Sequence, residues 1–173
     1  MWRLNTLEFC VQIASMKKRS KYRKKVVLIN PVAYVLESIK PVRYHDDYLI
    51  NLKIKNDDSM ASLTRGVATR KDIETLINMV DASEALYRMG FGEGYGDVVS
   101  EGINALREIG RRGAQDNRFI VKAQEMTALN AAMELHDAQM DIITVKDMER
   151  AIEMVNREFD QGKMKTIVER KET

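Results

Sequence analysis

The sequence predicts an all-α protein: a single bundle of about five to six helices with a basic N-terminal arm and a frayed C-terminal tail. Three observations predict it. Apolar residues recur at three- and four-residue spacing over long stretches, the period of one helix face. Thr69 and Thr144 each stand three residues ahead of an aspartate, Asp72 and Asp147, and each opens such a stretch. That is the pattern of a capping box with Asp in place of Glu. Two prolines and 6% aromatic residues argue against an all-β fold.

At 173 residues, with 45% hydrophobic and 31% charged side chains, the chain suits one globular domain large enough to bury a core. The net charge of +2 implies no partner by itself, so the distribution of charge matters more. A single cysteine, Cys10, excludes an intramolecular disulfide and gives no zinc-site spacing, and a reducing cytoplasmic setting is expected. No apolar run approaches the ~18 residues needed to cross a bilayer, so no membrane partner is expected. Arg3, Asn5, Glu8 and Gln12 interrupt the first fifteen residues, which lack the apolar run of a signal peptide.

Residues 1–29 read as an N-terminal extension and basic arm, 30–162 as the helical bundle and 163–173 as a C-terminal tail. Met16 opens a sharp change of composition and is the expected natural start; a short amphipathic helix on Leu4, Leu7 and Val11 is the alternative for residues 1–15. Lys17, Lys18, Arg19, Lys21, Arg23, Lys24 and Lys25 then place seven cations in nine positions, with Tyr22 among them. Such density of like charge without apolar periodicity predicts an extended segment that contacts phosphates, with Tyr22 available to stack on a base. A solubilising tail, or a segment packed on an acidic face of its own domain, is the plainer alternative.

Residues 26–29 form a β-prone run too isolated to imply a sheet. Asn30 as N-cap and Pro31 at the first position start a helix whose inner face is Val32, Val35, Leu36 and Ile39, until Pro41 stops it. A longer helix is expected from Asp46 to about Thr64, with Leu49, Leu52 and Leu63 on its core side. Asn56, Asp57 and Asp58 threaten to break it, and the alternation of Tyr48, Ile50, Leu52 and Ile54 leaves a strand open. Behind Thr69, the residues Ile73, Leu76, Ile77, Val80 and Tyr87 mark a helix ending near Gly90. Glycines at 90, 92, 94 and 96 read as a mobile connector, with Phe91 and Tyr95 as an exposed contact surface. Asp97 is the expected cap of the next helix, whose inner side is Val98, Val99, Ile103, Leu106 and Ile109 and whose end is the segment from Gly110 to Gly113.

Residues 122–141 carry the broadest apolar face: Met126, Leu129, Met133, His136 and Met140, widened by Ala128, Ala132 and Leu135. The other helices are expected to pack around it. The last helix, opening at Thr144, has Val145, Met148, Ile152, Val155 and Phe159 as one narrow buried stripe.

Few side chains point to chemistry. The doublets His45-Asp46 and His136-Asp137 resemble the signature of metal-dependent His-Asp phosphohydrolases, which need a further upstream His and a downstream Asp. His45 and Asp160 are the nominees, at a separation unlike that family's arrangement, and the expected role of His136 is a core histidine with one hydrogen-bond partner. Glu125, Glu134 and Asp141 lack the Glu-x-x-His spacing of a di-metal bundle and are expected on a solvated face. The glycine segment joins two helices, so it lacks the strand-loop-helix context of a phosphate-binding fingerprint. Cys10 has no histidine context for a nucleophile. Met60, Met79, Met89, Met126, Met133, Met140, Met148 and Met154 are expected as core filler, with a protein-binding surface as the alternative. No cofactor or metal is expected.

The segments KKRSKYR at 17–23, NPVAYVL at 30–36 and AMELHDAQMD at 132–141 resemble small uncharacterised helical proteins of bacterial chromosomes and prophages. The resemblance implies a bacterial setting and a phage-borne role, either regulating nucleic acid or blocking a host complex, and transfers no site residues. The expected function is a non-enzymatic binding or regulatory protein that engages nucleic acid or a nucleoprotein complex through the arm. Arg107, Arg111, Arg112 and Arg118 are the expected secondary, backbone-directed contacts. A protein-interaction module or inhibitor, with self-association admitted, is the alternative; a metal-dependent His-Asp hydrolase is the third reading.

Overall fold

Thr69 and Thr144 organise the local structure as their spacing requires. The computed structural model describes residues 31–116 and 118–163. The Thr69 backbone N–H donates to Asp72 Oδ2 at 2.7 Å, and Thr69 Oγ1 accepts from the Asp72 N–H at 3.4 Å. Thr144 and Asp147 repeat the exchange at 3.0 and 3.3 Å. Each box satisfies donors that the first turn of a helix would leave orphaned.

Six α-helices follow one another among the described residues: α1 (Pro31–Ser38), α2 (Asp46–Thr64), α3 (Arg70–Arg88), α4 (Gly96–Asp116), α5 (Ala123–Ile142) and α6 (Val145–Asp160). A 3-10 turn at Val42–Tyr44 links α1 to α2, and those described residues hold no strand beyond an isolated bridge between Pro41 and Thr144. The all-α bundle is therefore the fold, and from Val32 onward it is one compact unit. The strand alternative for residues 48–54 falls. Asn56, Asp57 and Asp58 do not break α2; Asn56 turns inward and is 2% exposed.

Three further expectations are corrected. Asp97 sits in the first turn of α4, which already begins at Gly96, where its charge still favours the helix dipole. Gly110 and Gly113 do not end α4, which runs on to Asp116. Gly113 instead makes room for the Phe119 ring, because a Cβ there would lie 2.2 Å from a ring carbon. The glycine connector is anchored rather than loose: Gly90, Gly92 and Gly94 take φ of +97°, +100° and +90°, and the Phe91 carbonyl accepts from Gln139 Nε2 at 2.9 Å. Phe91 packs inward, and only Tyr95 of the expected aromatic pair is exposed.

The organising element is α3, not α5. It packs against α2, α4, α5 and α6, and every residue from Met79 to Leu86 on it is buried. Asp81, Ser83 and Glu84 within that run disguise it as a helix with a polar side.

The core has two clusters. The larger joins Met60 and Leu63 of α2, Leu76 and Val80 of α3, Ile103, Leu106 and Ile109 of α4, and Leu129, Ala132 and Leu135 of α5. The smaller joins Val42, Leu49, Ala85, Leu86, Met140, Ile143 and Ala151. Met60, Met79 and Met140 are fully buried, and Met89, Met126, Met133, Met148 and Met154 pack at the edges, so these methionines fill the core.

Two amphipathic faces are not buried as their spacing predicts. Val32, Val35 and Leu36 of α1, and Ile39 just past its end, are between 55% and 65% exposed. The Tyr34 hydroxyl ties α1 to α6, donating to Glu149 Oε2 at 3.0 Å. On α6 the buried line is rotated: Ala151 is its one fully buried residue, while Ile152 and Phe159 are exposed.

Candidate functional site

Three helices each carry buried polar side chains, placed along the chain between residues of the two apolar clusters. On α2 it is Asn56 and Ser59, between Leu49 and Met60; on α3 it is Asp81, Ser83 and Glu84, between Val80 and Ala85; on α5 it is His136 and Gln139, between Leu135 and Met140. All are at most 9% exposed. Gln139 is fully engaged: Ser83 Oγ donates to its Oε1 at 2.8 Å, and its Nε2 donates to the carbonyls of Phe91 and Ser83 at 2.9 and 3.2 Å. One residue thus ties α3, the glycine connector and α5 together. Sequence reading passed over it because Gln139 sits beside, not on, the four-three stripe.

His136 is buried as expected, at 1% exposure. Its Nδ1 lies 3.9 Å from Asp137 Oδ1, beyond hydrogen-bond reach, and neither it nor Asn56 Nδ2 has a hydrogen-bond partner. The Asp137 carboxyl is held below the usual carboxylate range by the adjacent His136 imidazole and, across α2, by Lys53 at 3.6 Å. Among the described residues no three His, Cys, Asp or Glu side chains gather where they could hold a metal ion. Cys10 lies outside the described residues.

Glu84 lines a groove of about 570 Å³ between the second half of α3 and the first half of α4. Tyr87 and Arg88 flank it on α3, and Asn104 and Arg107 on α4. Tyr87 places its hydroxyl against Gly96, where a Cβ would come within 2.6 Å of the oxygen, so glycine is needed at the head of α4.

The structure separates the four expected arginine contacts. Arg107 is exposed in the groove, and its Nη1 donates to Asn104 Oδ1 at 3.3 Å. Arg111 is exposed and paired with Glu108 at 2.9 Å. Arg118 is exposed beyond the end of α4. Arg112 turns inward, bonding Glu125 through both terminal nitrogens and the Ile120 carbonyl at 2.9 Å. Glu125 is likewise not on a solvated face, since it also accepts from the Lys122 N–H at 2.8 Å and so caps α5. The arm residues Lys17, Lys18, Arg19, Lys21, Tyr22, Arg23, Lys24 and Lys25 lie outside the described residues. Among the described residues no helix is long and apolar enough to cross a membrane. Set against known proteins, the chain matches no family model, no curated protein and no solved structure.

Proposed function

We propose that the protein is a non-enzymatic helical binding module that engages nucleic acid through the basic arm. The observation that carries this reading is the segregation of charge along the chain. Residues 17–25 hold seven cations and no acid, whereas residues 31–163 hold 17 Lys and Arg against 23 Asp and Glu, a net of −6. An acidic body repels a polyanion everywhere except at the arm, so the arm is the anchor and binding is directed to the phosphate backbone. Arg107 and Arg118, exposed on the bundle, are the supporting contacts.

The exposed apolar face of α1 favours a second reading, a protein-interaction module whose partner covers Val32, Val35, Leu36 and Ile39. One titration separates the two. The full chain and a chain beginning at Val26 are titrated with single- and double-stranded oligonucleotides at several salt concentrations. The full chain is expected to lose affinity with a log–log slope of roughly −0.7 to −0.9 per phosphate contacted, and the shortened chain to bind weakly with a shallower slope. Tyr22→Ala should weaken single strands more than duplex, because stacking needs an open base face. Equal affinity and slope for both chains would remove the arm from the mechanism and leave the protein-interaction reading.

A further inference from the structure

The segments that join α2 to α3 and α4 to α5 meet at one end of the bundle. A Cβ on Gly66 would lie 4.0 Å from Arg118 Nη2, and Thr64 Oγ1 lies 3.7 Å from Met126 Sδ near the start of α5. Positive charge collects there. Residues 65–72 and 111–122 hold seven Lys and Arg against two acids, a net of +5. The rest of residues 31–163 hold 10 against 21, a net of −11. One turn further along their helices, Glu74, Glu108 and Glu125 pair with Arg70, Arg111 and Arg112, and Asp72 is taken up by the Thr69 capping box. Arg65, Lys71, Arg118 and Lys122 are exposed and enter no salt bridge among the described residues. Arg65 gives its Nε to the Ala61 carbonyl at 3.2 Å, which leaves its two terminal nitrogens.

Like charges gathered without acids repel one another, and a polyanion relieves that repulsion as it binds. All four groups are exposed, so they enclose no small anion and suit a row of repeating charges instead. A protein partner would need an apolar centre to its interface, and Val67 and Ile120 are the only large apolar side chains exposed in these two segments among the described residues. We propose that this end of the bundle is a second nucleic-acid contact, with Arg65, Lys71, Arg118 and Lys122 on the phosphates. The proposal rests on the nucleic-acid reading and extends it, because it names where on the body a strand held by the arm is received. The remainder of the body is net negative and repels such a strand. Arg118 is thereby one member of a group drawn from two segments rather than an isolated supporting contact.

The full chain is titrated with a long single-stranded oligothymidylate at several salt concentrations, beside two full-length variants of equal net charge. The first combines Arg65→Gln, Lys71→Gln, Arg118→Gln and Lys122→Gln. The second combines Lys55→Gln, Lys146→Gln, Arg157→Gln and Lys163→Gln, exposed cations elsewhere on the bundle. All eight positions are exposed, so both variants should keep the fold, which circular dichroism checks. The first is expected to lose about 3 units of log–log salt slope, roughly 0.7 for each of four phosphates released, and the second to keep the slope of the unaltered chain. Arg118→Gln alone should lose about 0.7. Equal slopes in the two variants would mean that net charge alone acts, and an unchanged slope in the first would remove this end from the contact; either overturns the proposal. If the chain beginning at Val26 loses slope while the first variant does not, the arm stands and the end falls. Binding of the unaltered chain that does not respond to salt sinks the nucleic-acid reading itself, so the two ideas fail separately.

Discussion

The two apolar clusters are made of similar side chains but closed in different ways. The larger has a helix on every side: the end of α2, then α3, α4 and α5, with Leu76, Ile109 and Leu129 at 0% exposure. The smaller is closed by a 3-10 turn, the ends of α3 and α5, and α6, which contributes Ala151 as its one fully buried residue. Beside it lie apolar side chains the bundle leaves exposed: Val32, Val35 and Leu36 on α1, Ile39 just past its end, and Ile152 and Phe159 on α6. The difference teaches that an amphipathic pattern is a request for burial. It is met only where a second surface of matching length faces it, and the ends of the chain's helical order run out of such surfaces.

The sharpest way to break that comparison is a pair of cavity-forming substitutions. Leu129→Ala, in the enclosed cluster, is expected to cost toward the top of the range of about 2–5 kcal/mol, because neighbours on all sides hold the cavity open. Met140→Ala, also 0% exposed but in the cluster with a free edge, should fall toward the bottom, because the edge can collapse inward. Urea unfolding of the two variants measures the difference, and equal costs would show that both clusters are enclosed alike.

Next in size is the ion pair that seals the end of the larger cluster. Arg112 and Glu125 have side chains only 17% and 13% exposed, so Arg112→Ala strands a desolvated carboxylate and should cost about 3 kcal/mol near neutral pH. Burial by itself would raise the Glu125 pKa, but the Arg112 guanidinium and the Lys122 N–H outweigh it and hold the pKa below the ordinary glutamate value. The pair's contribution is therefore complete above the ordinary range and is lost as pH falls through the lowered value. Chemical unfolding of both proteins across pH should show the cost of Arg112→Ala shrinking in acid; a cost independent of pH would count against the pair.

The smallest effect probes the buried polar side chains. Gln139→Leu takes from the Phe91 carbonyl and the Ser83 hydroxyl the partner that Gln139 supplies, and should cost about 1–3 kcal/mol. His136→Leu, three residues earlier and equally buried, removes an imidazole whose Nδ1 already lacks a partner, and should cost under about 1 kcal/mol. Thermal unfolding that ranks them the other way would mean His136 carries an interaction that Gln139 does not.

What could be read ahead of the structure follows from distance along the chain. Capping boxes are closed by residues three apart, and a helix stripe by residues three and four apart, so Thr69, Thr144 and the extents of α2, α3 and α5 were legible. Most of the larger cluster was legible too, since Leu76, Val80, Leu106 and Leu129 lie on unambiguous stripes. The candidate groove was not, although Arg107 had been singled out: Glu84, Tyr87 and Asn104 come together only once α3 and α4 lie side by side. Gly113 looked like a helix end until Phe119, six positions away, folded onto it.

By itself, then, the sequence determined which segments are helical, where they start, and that one segment of the chain is densely basic, because these depend on near neighbours and on composition. Only the tertiary structure decided which polar residues go inside, which apolar faces stay outside and that Arg112 turns from solvent to Glu125. The reason is physical. A side chain's environment is set by whichever surface packs against it, and that surface comes from residues tens of positions away, as when Ser83 meets Gln139 across 56 residues.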